Sequence, residues 1–289
     1  MVETNGIKWG MDLMLKKQLD TLIYNLQKDW DFLILISGSG WVRVGKSVMA
    51  MLNSGYCANK LGTPFTLNNI CFNGKQLIDR ALKAPRNSVF VYDEAQIQLS
   101  ASAAMRKINQ DINNFFIECG QLNHLVFLVV PDFFAMKKYL AVNRSVALID
   151  VQVSPEKVKD KDVMNFRRGR FRFFNFFQKR MLYNLGKKRL DDYTCIQPSF
   201  RGTFPNTYVI DEKAYRKKKE EFLKREREVE KENRFKVQRD KAFEVLTKDY
   251  KHPLVEVTEF FNRNNPYPMV RSGIGGAVIK LGRDRNKIC

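Results

Sequence analysis

Two histidines and five cysteines (Cys57, Cys71, Cys119, Cys195 and Cys289) are too few and too scattered for metal or disulfide chemistry. No C-x-x-C pair occurs, which argues against a zinc site and a disulfide framework and points to a reducing, cytoplasmic compartment. No apolar run approaches the roughly 18 residues that span a bilayer, and the amino terminus lacks a basic region followed by an apolar one. The sequence therefore predicts no membrane insertion. Acidic residues are also scarce, 31 against 50 Lys and Arg, for a net charge of +19 over 289 residues. The excess is uneven: residues 1–150 carry 16 basic against 12 acidic residues (+4), and residues 151–289 carry 34 against 19 (+15). Basic charge gathered at one end suggests a polyanionic partner, nucleic acid above all, met by that end; the alternative is a merely solubilising charge.

What the chain does have is a strong motif at 32–47, FLILISGSGWVRVGKS. An apolar strand breaks into a glycine-rich turn, and Gly40 to Ser47 fits G-x-x-x-x-G-K-[ST]. Such a loop curls so that successive N–H groups face a phosphate, and the following helix adds its partial positive end. The expected phosphate cradle is Gly40, Trp41, Val42, Arg43, Val44, Gly45, Lys46, Ser47 and Val48. Lys46 would neutralise β- and γ-phosphate charge, and the Ser47 hydroxyl would ligate magnesium. The bland alternative is a glycine-rich turn with an unrelated lysine, but a strand before and a helix over 48–60 supply the context the motif requires.

The second landmark is SVFVYDEA at 88–95, a buried strand ending in two carboxylates. In parallel sheets ligands gather just beyond the strands' carboxyl ends. Asp93 would take part in holding magnesium, through its water shell, and Glu94 would polarise the attacking water. An N-cap with a first-turn carboxylate is the alternative for the same pair.

Around these motifs the patterning predicts a frayed lead-in at 1–10, an amphipathic helix over 11–30 with Leu13, Leu15, Leu19, Leu22, Ile23 and Leu26 as its stripe, and alternating strands and helices to residue 153. The expected strands are 68–72, 88–92, 125–130 and 146–153; the expected helices are 75–83, 103–118 and 133–143. The fold class is α/β: a mostly parallel central sheet with helices on both faces, followed by a basic, mainly helical carboxyl-terminal region. FRRGRFRFFNFF at 166–177 reads as an edge strand or hairpin whose Arg167, Arg168, Arg170 and Arg172 either track a nucleic-acid backbone or form a solvated face. Residues 197–207 read as a loop, and residues 211–249 as a long charged helix serving as a solvent-exposed spacer. Helices over 254–262 and 272–281 suggest a helix-turn-helix in which Lys280, Arg283 and Arg285 meet DNA, or else a small packing module. The expected divisions are an amino-terminal helix (1–30), an ATPase core (31–155), a basic aromatic extension (156–210), the charged helix (211–250) and a small helical module (251–289).

SGSGWVRVGKS and VFVYDEAQ, with NRS at 143–145 before a last strand, resemble the additional-strand, catalytic-glutamate class of P-loop ATPases. Within that class, Asp93-Glu94-Ala95 and HLVFLVVPDFFAMKKYLAVNRSVALIDV resemble the HerA/FtsK-like group, which includes viral and archaeal DNA-pumping ATPases. The resemblance covers about residues 30–155. It implies ATP and Mg2+ as ligands, adenine over guanine, a homo-oligomeric ring with shared sites, a neighbour's arginine completing each site, and a portal, pore or assembly partner. Arg144 stands in the expected arginine position, with Arg106 second, and a helix C-cap is the structural alternative for Arg144. The group's sensor is a Gln or Asn after the fourth strand, where this chain has Pro131-Asp132; Asp132, Gln121 or Asn123 are the candidates. Arg43 departs from the small residue common in such loops.

The expectation that follows is ATP hydrolysis driving translocation or packaging of nucleic acid, double-stranded DNA first, in the cytoplasm of a cell or of a virus's host. The rival is a slow, nucleotide-switched assembly or regulatory factor; a structural DNA-binding protein with a dead pocket is third.

Overall fold

The computed structural model describes residues 1–38, 43–93, 101–157, 164–225 and 253–263, with residues 228 and 239. Instead of a frayed lead-in, the chain opens with a hairpin, β1 (Val2–Thr4) and β2 (Ile7–Trp9), paired antiparallel. Asn5 and Gly6 supply the positive φ values (50° and 78°) that a tight two-residue turn requires. Thr4 and Trp9 are buried, and Asn5 Nδ2 donates to the carbonyls of Phe65 and Val209, both at 2.9 Å. These bonds, invisible to periodicity, are what order the hairpin.

Helix α1 (Leu13–Leu26) starts at Asp12, whose carboxylate accepts from the amides of Met14 and Leu15. Its buried stripe is Leu15, Leu19, Ile23 and Leu26; Leu13 is 74% exposed, so the stripe is narrower than expected. The apolar runs that follow become β3 (Phe32–Ser37), β4 (Ile70–Cys71), β5 (Val89–Asp93), β6 (Leu125–Val129) and β7 (Ser145–Lys157). Between them lie α2 (Lys46–Leu61), α3 (Gly74–Ala81) and α4 (Ala101–Cys119).

The sheet has seven strands in the order β4-β5-β6-β3-β7-β8-β9, where β8 is Met164–Phe174 and β9 is Phe200–Thr203. All pairs from β4 to β7 are parallel; β8 and β9 add antiparallel to β7. Strand β6 thus lies between the strand that enters the glycine-rich loop and the strand that ends in Asp93. On one face Leu33, Leu35, Phe90, Tyr92, Val126, Leu128 and Leu148 pack with Ile108, Ile112 and Phe115 of α4. Successive strand residues point to opposite faces, so Ile34, Ile36, Val91 and Phe127 are buried on the other. Helix α2 contacts β5 and β6 there.

Three expectations are corrected. Residues 133–143 are not one helix: Phe133 and Phe134, adjacent and both buried, turn inward against Tyr183 and Tyr193, and only Tyr139–Arg144 winds, in wide π-type turns. The strand at 166–177 ends at Phe174, because Asn175 and Gln178 exchange capping bonds and open α5 (Phe176–Gly186). The loop at 197–207 contains β9.

Residues 1–222 form one compact unit and residues 223–289 a second. The charged helix, α6, is described over 212–225, capped by Asp211. In the second unit the described helix is α7 (Leu254–Asn262), as patterning predicts; the expected helix at 272–281 lies outside the described residues. No helix among the described residues is long and apolar enough to cross a membrane.

Candidate functional site

The carboxyl ends of β3, β5, β6 and β7 bring together the residues the sequence singles out. The chain leaves β3 at Ser37 and re-enters regular structure through Arg43, Val44 and Gly45; Gly40, Trp41 and Val42 lie outside the described residues. Gly45 is the N-cap of α2 with φ 101°, a conformation that L side chains rarely adopt, and it has no side chain to satisfy the first amides. A Cβ there would meet the ring of Phe204 at 3.4 Å. Arg43 also has positive φ (58°) and is exposed, while Val44 and Val48 are buried and anchor the loop.

Lys46, first residue of α2, is half-buried. Burial pushes its ammonium pKa down; the carboxylates of Asp93, Asp150 and Asp132 oppose that shift, and Lys219 adds to it. Ser47 Oγ donates to Asp93 Oδ1 at 3.1 Å. Adjacent ligands of an octahedral magnesium with bonds of about 2.1 Å lie about 3 Å apart, so the hydroxyl and the carboxylate suit a hard, oxygen-seeking cation. No cluster of three His, Cys, Asp or Glu side chains among the described residues forms a metal cage.

Asp93 is 2% exposed, and its second oxygen is engaged from α6. Tyr215 donates its hydroxyl to Oδ2 in a short bond, and Lys219 Nζ reaches the same atom at 2.8 Å. Burial, then the Asp93 charge, pushes the Tyr215 hydroxyl pKa far above its ordinary value. The Tyr215 ring tilts against Phe72 and Tyr208, Phe222 packs on Phe72, and Lys218 Nζ donates to the carbonyl of Leu67 at 2.6 Å. The first turns of α6 are therefore not a solvated spacer. Sequence reasoning missed them because lysines and glutamates dominate the segment; the available signal was Tyr215, Lys219 and Phe222, spaced four and three apart so as to share one helical face.

A second cluster adjoins the first. Ser37 Oγ lies 3.4 Å from Asp150 Oδ1 and 3.3 Å from the Tyr193 hydroxyl. Asp150 pairs with Arg172, whose Nε and Nη2 donate to Oδ2 at 3.0 and 2.7 Å. Asp132, one of the sensor candidates, adjoins this cluster, accepting from Tyr193 at 3.1 Å and from the Phe134 amide at 3.0 Å. Arg172 faces this cluster and is 6% exposed, so it does not belong with the solvent-facing arginines. The physical reason is its register opposite Asp150. Arg167, Arg168 and Arg170 are exposed.

Gln121 and Arg144 lie at the other edge, where the parallel strands begin. Gln121 is exposed in the turn before β6. Arg144 precedes β7, pairs with Asp31 before β3, and stacks on Phe116 with its guanidinium carbon 3.5 Å from the ring centroid. Glu94, Lys280, Arg283 and Arg285 lie outside the described residues, as do the side chain of Arg106 and the cysteine Cys289. The four described cysteines are free. No protein-family profile matches this chain, and no curated protein matches it.

Proposed function

We propose that this chain is a magnesium-dependent ATP hydrolase that moves or packages nucleic acid, acting as a homo-oligomer. The observation that carries the proposal is the meeting of Ser47 and Asp93, from two stretches 46 residues apart, at the carboxyl ends of β3 and β5 with Lys46 beside them. The parallel strand order supports it too: β6 stands between β3 and β5, so the glycine-rich loop and Asp93 meet across one strand at the same end of the sheet.

In this reading Lys46 and the first amides of α2 hold the β- and γ-phosphates, and Ser47 and Asp93 hold Mg2+. Magnesium, when bound, supplies charge to the phosphates and orients them for in-line attack. Glu94 takes the proton of the attacking water, and Asp132, fixed by Tyr193, orients that water. Arg167, Arg168 and Arg170, with the excess of basic residues after 150, offer contacts to a phosphate backbone. The basic excess favours a polyanionic cargo.

A second reading, a slow nucleotide-switched factor, draws on one observation: Asp93 is already held by two groups from α6. Steady-state ATP hydrolysis by the wild type and by Glu94→Gln, with and without double-stranded DNA, separates the two. Severalfold stimulation by DNA and a silent variant are expected; an equal slow rate with and without DNA would leave the switch.

A further inference from the structure

We propose that α6 is a metal-displaced latch: Tyr215 and Lys219 hold Asp93 Oδ2, Mg2+ arriving with nucleotide takes their place, and the release frees the first turns of α6. The inference rests on the nucleotide-hydrolase reading above and goes beyond it, by assigning a transmission element outside the phosphate-binding motifs.

The geometry of Asp93 sets the two occupancies in competition for one carboxylate. Its Oδ1 is shared with Ser47 at 3.1 Å, and its Oδ2 accepts from both Tyr215 and Lys219. An ammonium 2.8 Å from a carboxylate oxygen occupies the region in which a cation or its water shell would sit. A divalent cation and an ammonium also repel strongly at that separation. Neutral Tyr215 donates a hydrogen bond, and a cation on the same carboxylate draws away the charge that strengthens it. Both groups lie on one helical face, four residues apart, so one movement of the helix releases both.

The element that carries them can shift without unpairing a strand. Among the described contacts, the first turns of α6 are tied to the rest of residues 1–222 by side chains: the rings of Tyr215 and Phe222, Arg216 over the Tyr208 ring, the Lys218 bond to the Leu67 carbonyl, and the pair on Asp93. Loss of the Asp93 bonds removes its only described link to the metal-binding carboxylate. The latch also lies just before residue 223, where the second, basic-tailed unit begins. Magnesium occupancy at Asp93 would thus be communicated along the chain to residues 223–289, which carry 16 basic against 10 acidic residues.

The test is a Mg2+ titration of the full chain at saturating non-hydrolysable ATP analogue, read by a fluorescent label on the analogue, for wild type, Tyr215→Phe and Lys219→Gln. Phenylalanine keeps the ring against Phe72 and Tyr208, so Tyr215→Phe removes only the hydroxyl. The latch predicts that each variant saturates at roughly tenfold lower Mg2+, since each removes a charge-assisted bond that competes with the cation. Amide exchange in the wild type is the second measurement: Mg2+ with analogue should speed exchange over 212–222 relative to analogue with EDTA. Unchanged midpoints, or variants that need more Mg2+, overturn the latch, as does unchanged or slower exchange. If the wild type does not bind the analogue at all, the nucleotide reading itself falls; binding with unchanged midpoints and exchange sinks the latch alone.

Discussion

Arg172 distinguishes a residue that folds the site from one that grips cargo, and the two roles predict opposite experiments. Its guanidinium donates twice to Asp150, with side-chain exposures of 7% and 0%. Removing one partner of a buried pair leaves the other charge uncompensated, which costs about 3–5 kcal/mol, whereas replacing both can be nearly neutral. Asp150→Asn and Arg172→Met should therefore each lower stability by about 3–5 kcal/mol. For a unit of this size, where about 1 kcal/mol shifts Tm by about 2–4 °C, that is a drop of roughly 10 °C or more. The double variant should recover most of the loss, with a coupling of about 2 kcal/mol or more. Urea unfolding of the four proteins measures the cycle. In parallel, Arg170→Gln should reduce the salt slope of DNA binding by about one phosphate contact, and Arg172→Met should leave that slope unchanged. Single variants costing under about 1 kcal/mol and adding without coupling, or an Arg172→Met that flattens the salt slope, would refute the assignment of Arg172 to the sheet.

Two further outcomes follow from groups away from the phosphate loop. Lys179 is fully buried, donates to the carbonyls of Ala141 and Val142 at 2.5 and 3.0 Å, and has its pKa pushed down by burial to about 7 from 10.5. Between those values the unfolded chain holds a proton that the folded chain does not, so the Lys179 contribution makes stability rise with pH, by up to about 1.4 kcal/mol per pH unit. Denaturation at pH 7.5, 8.25 and 9 should show a steeper rise for wild type than for Lys179→Met; parallel curves would contradict the buried, proton-poor lysine. Arg144→Ala should cost about 1–2 kcal/mol through the lost Asp31 pair and Phe116 stacking, while slowing hydrolysis less than about tenfold. A loss of about a thousandfold with unchanged Tm would make Arg144 the neighbour's catalytic arginine instead.

The sheet was legible because its signals are local. Continuous apolar runs such as Leu33 to Ile36 and Val89 to Tyr92 can only be buried strands, and Gly45-Lys46-Ser47 marks its turn through residue types that few other conformations require. The start of helix α5 was legible in principle too, through the Asn175 and Gln178 capping pair, but a run of phenylalanines on both sides hid it. What could not be read were bonds between distant residues. Asn5 meets Val209, Ser37 meets Tyr193, and Asp93 meets Tyr215 and Lys219, all at separations of 122 residues or more. Nothing in a lysine-rich helix announces that one face of its first turns closes over a carboxylate, because the same composition serves a solvated spacer equally well.

The three carboxylates at the strand ends differ in how firmly their partners are held, and that difference decides which of them can respond to a ligand. Asp150 is matched by Arg172, which β8 fixes between the ladders of β7 and β9. Asp132 is matched by Tyr193, whose ring packs edge-on to Phe134 at 4.7 Å and whose hydroxyl also takes the Phe133 amide bond. Moving either partner would mean breaking the sheet or opening an aromatic core. Asp93 alone of the three is matched by side chains from a helix that the sheet does not hold. In the proposed reading, in which phosphate and a cation bring their charges to Lys46 and Ser47, the cheapest rearrangement open to the site is at Asp93. A motion that begins there reaches α6 before it reaches any strand.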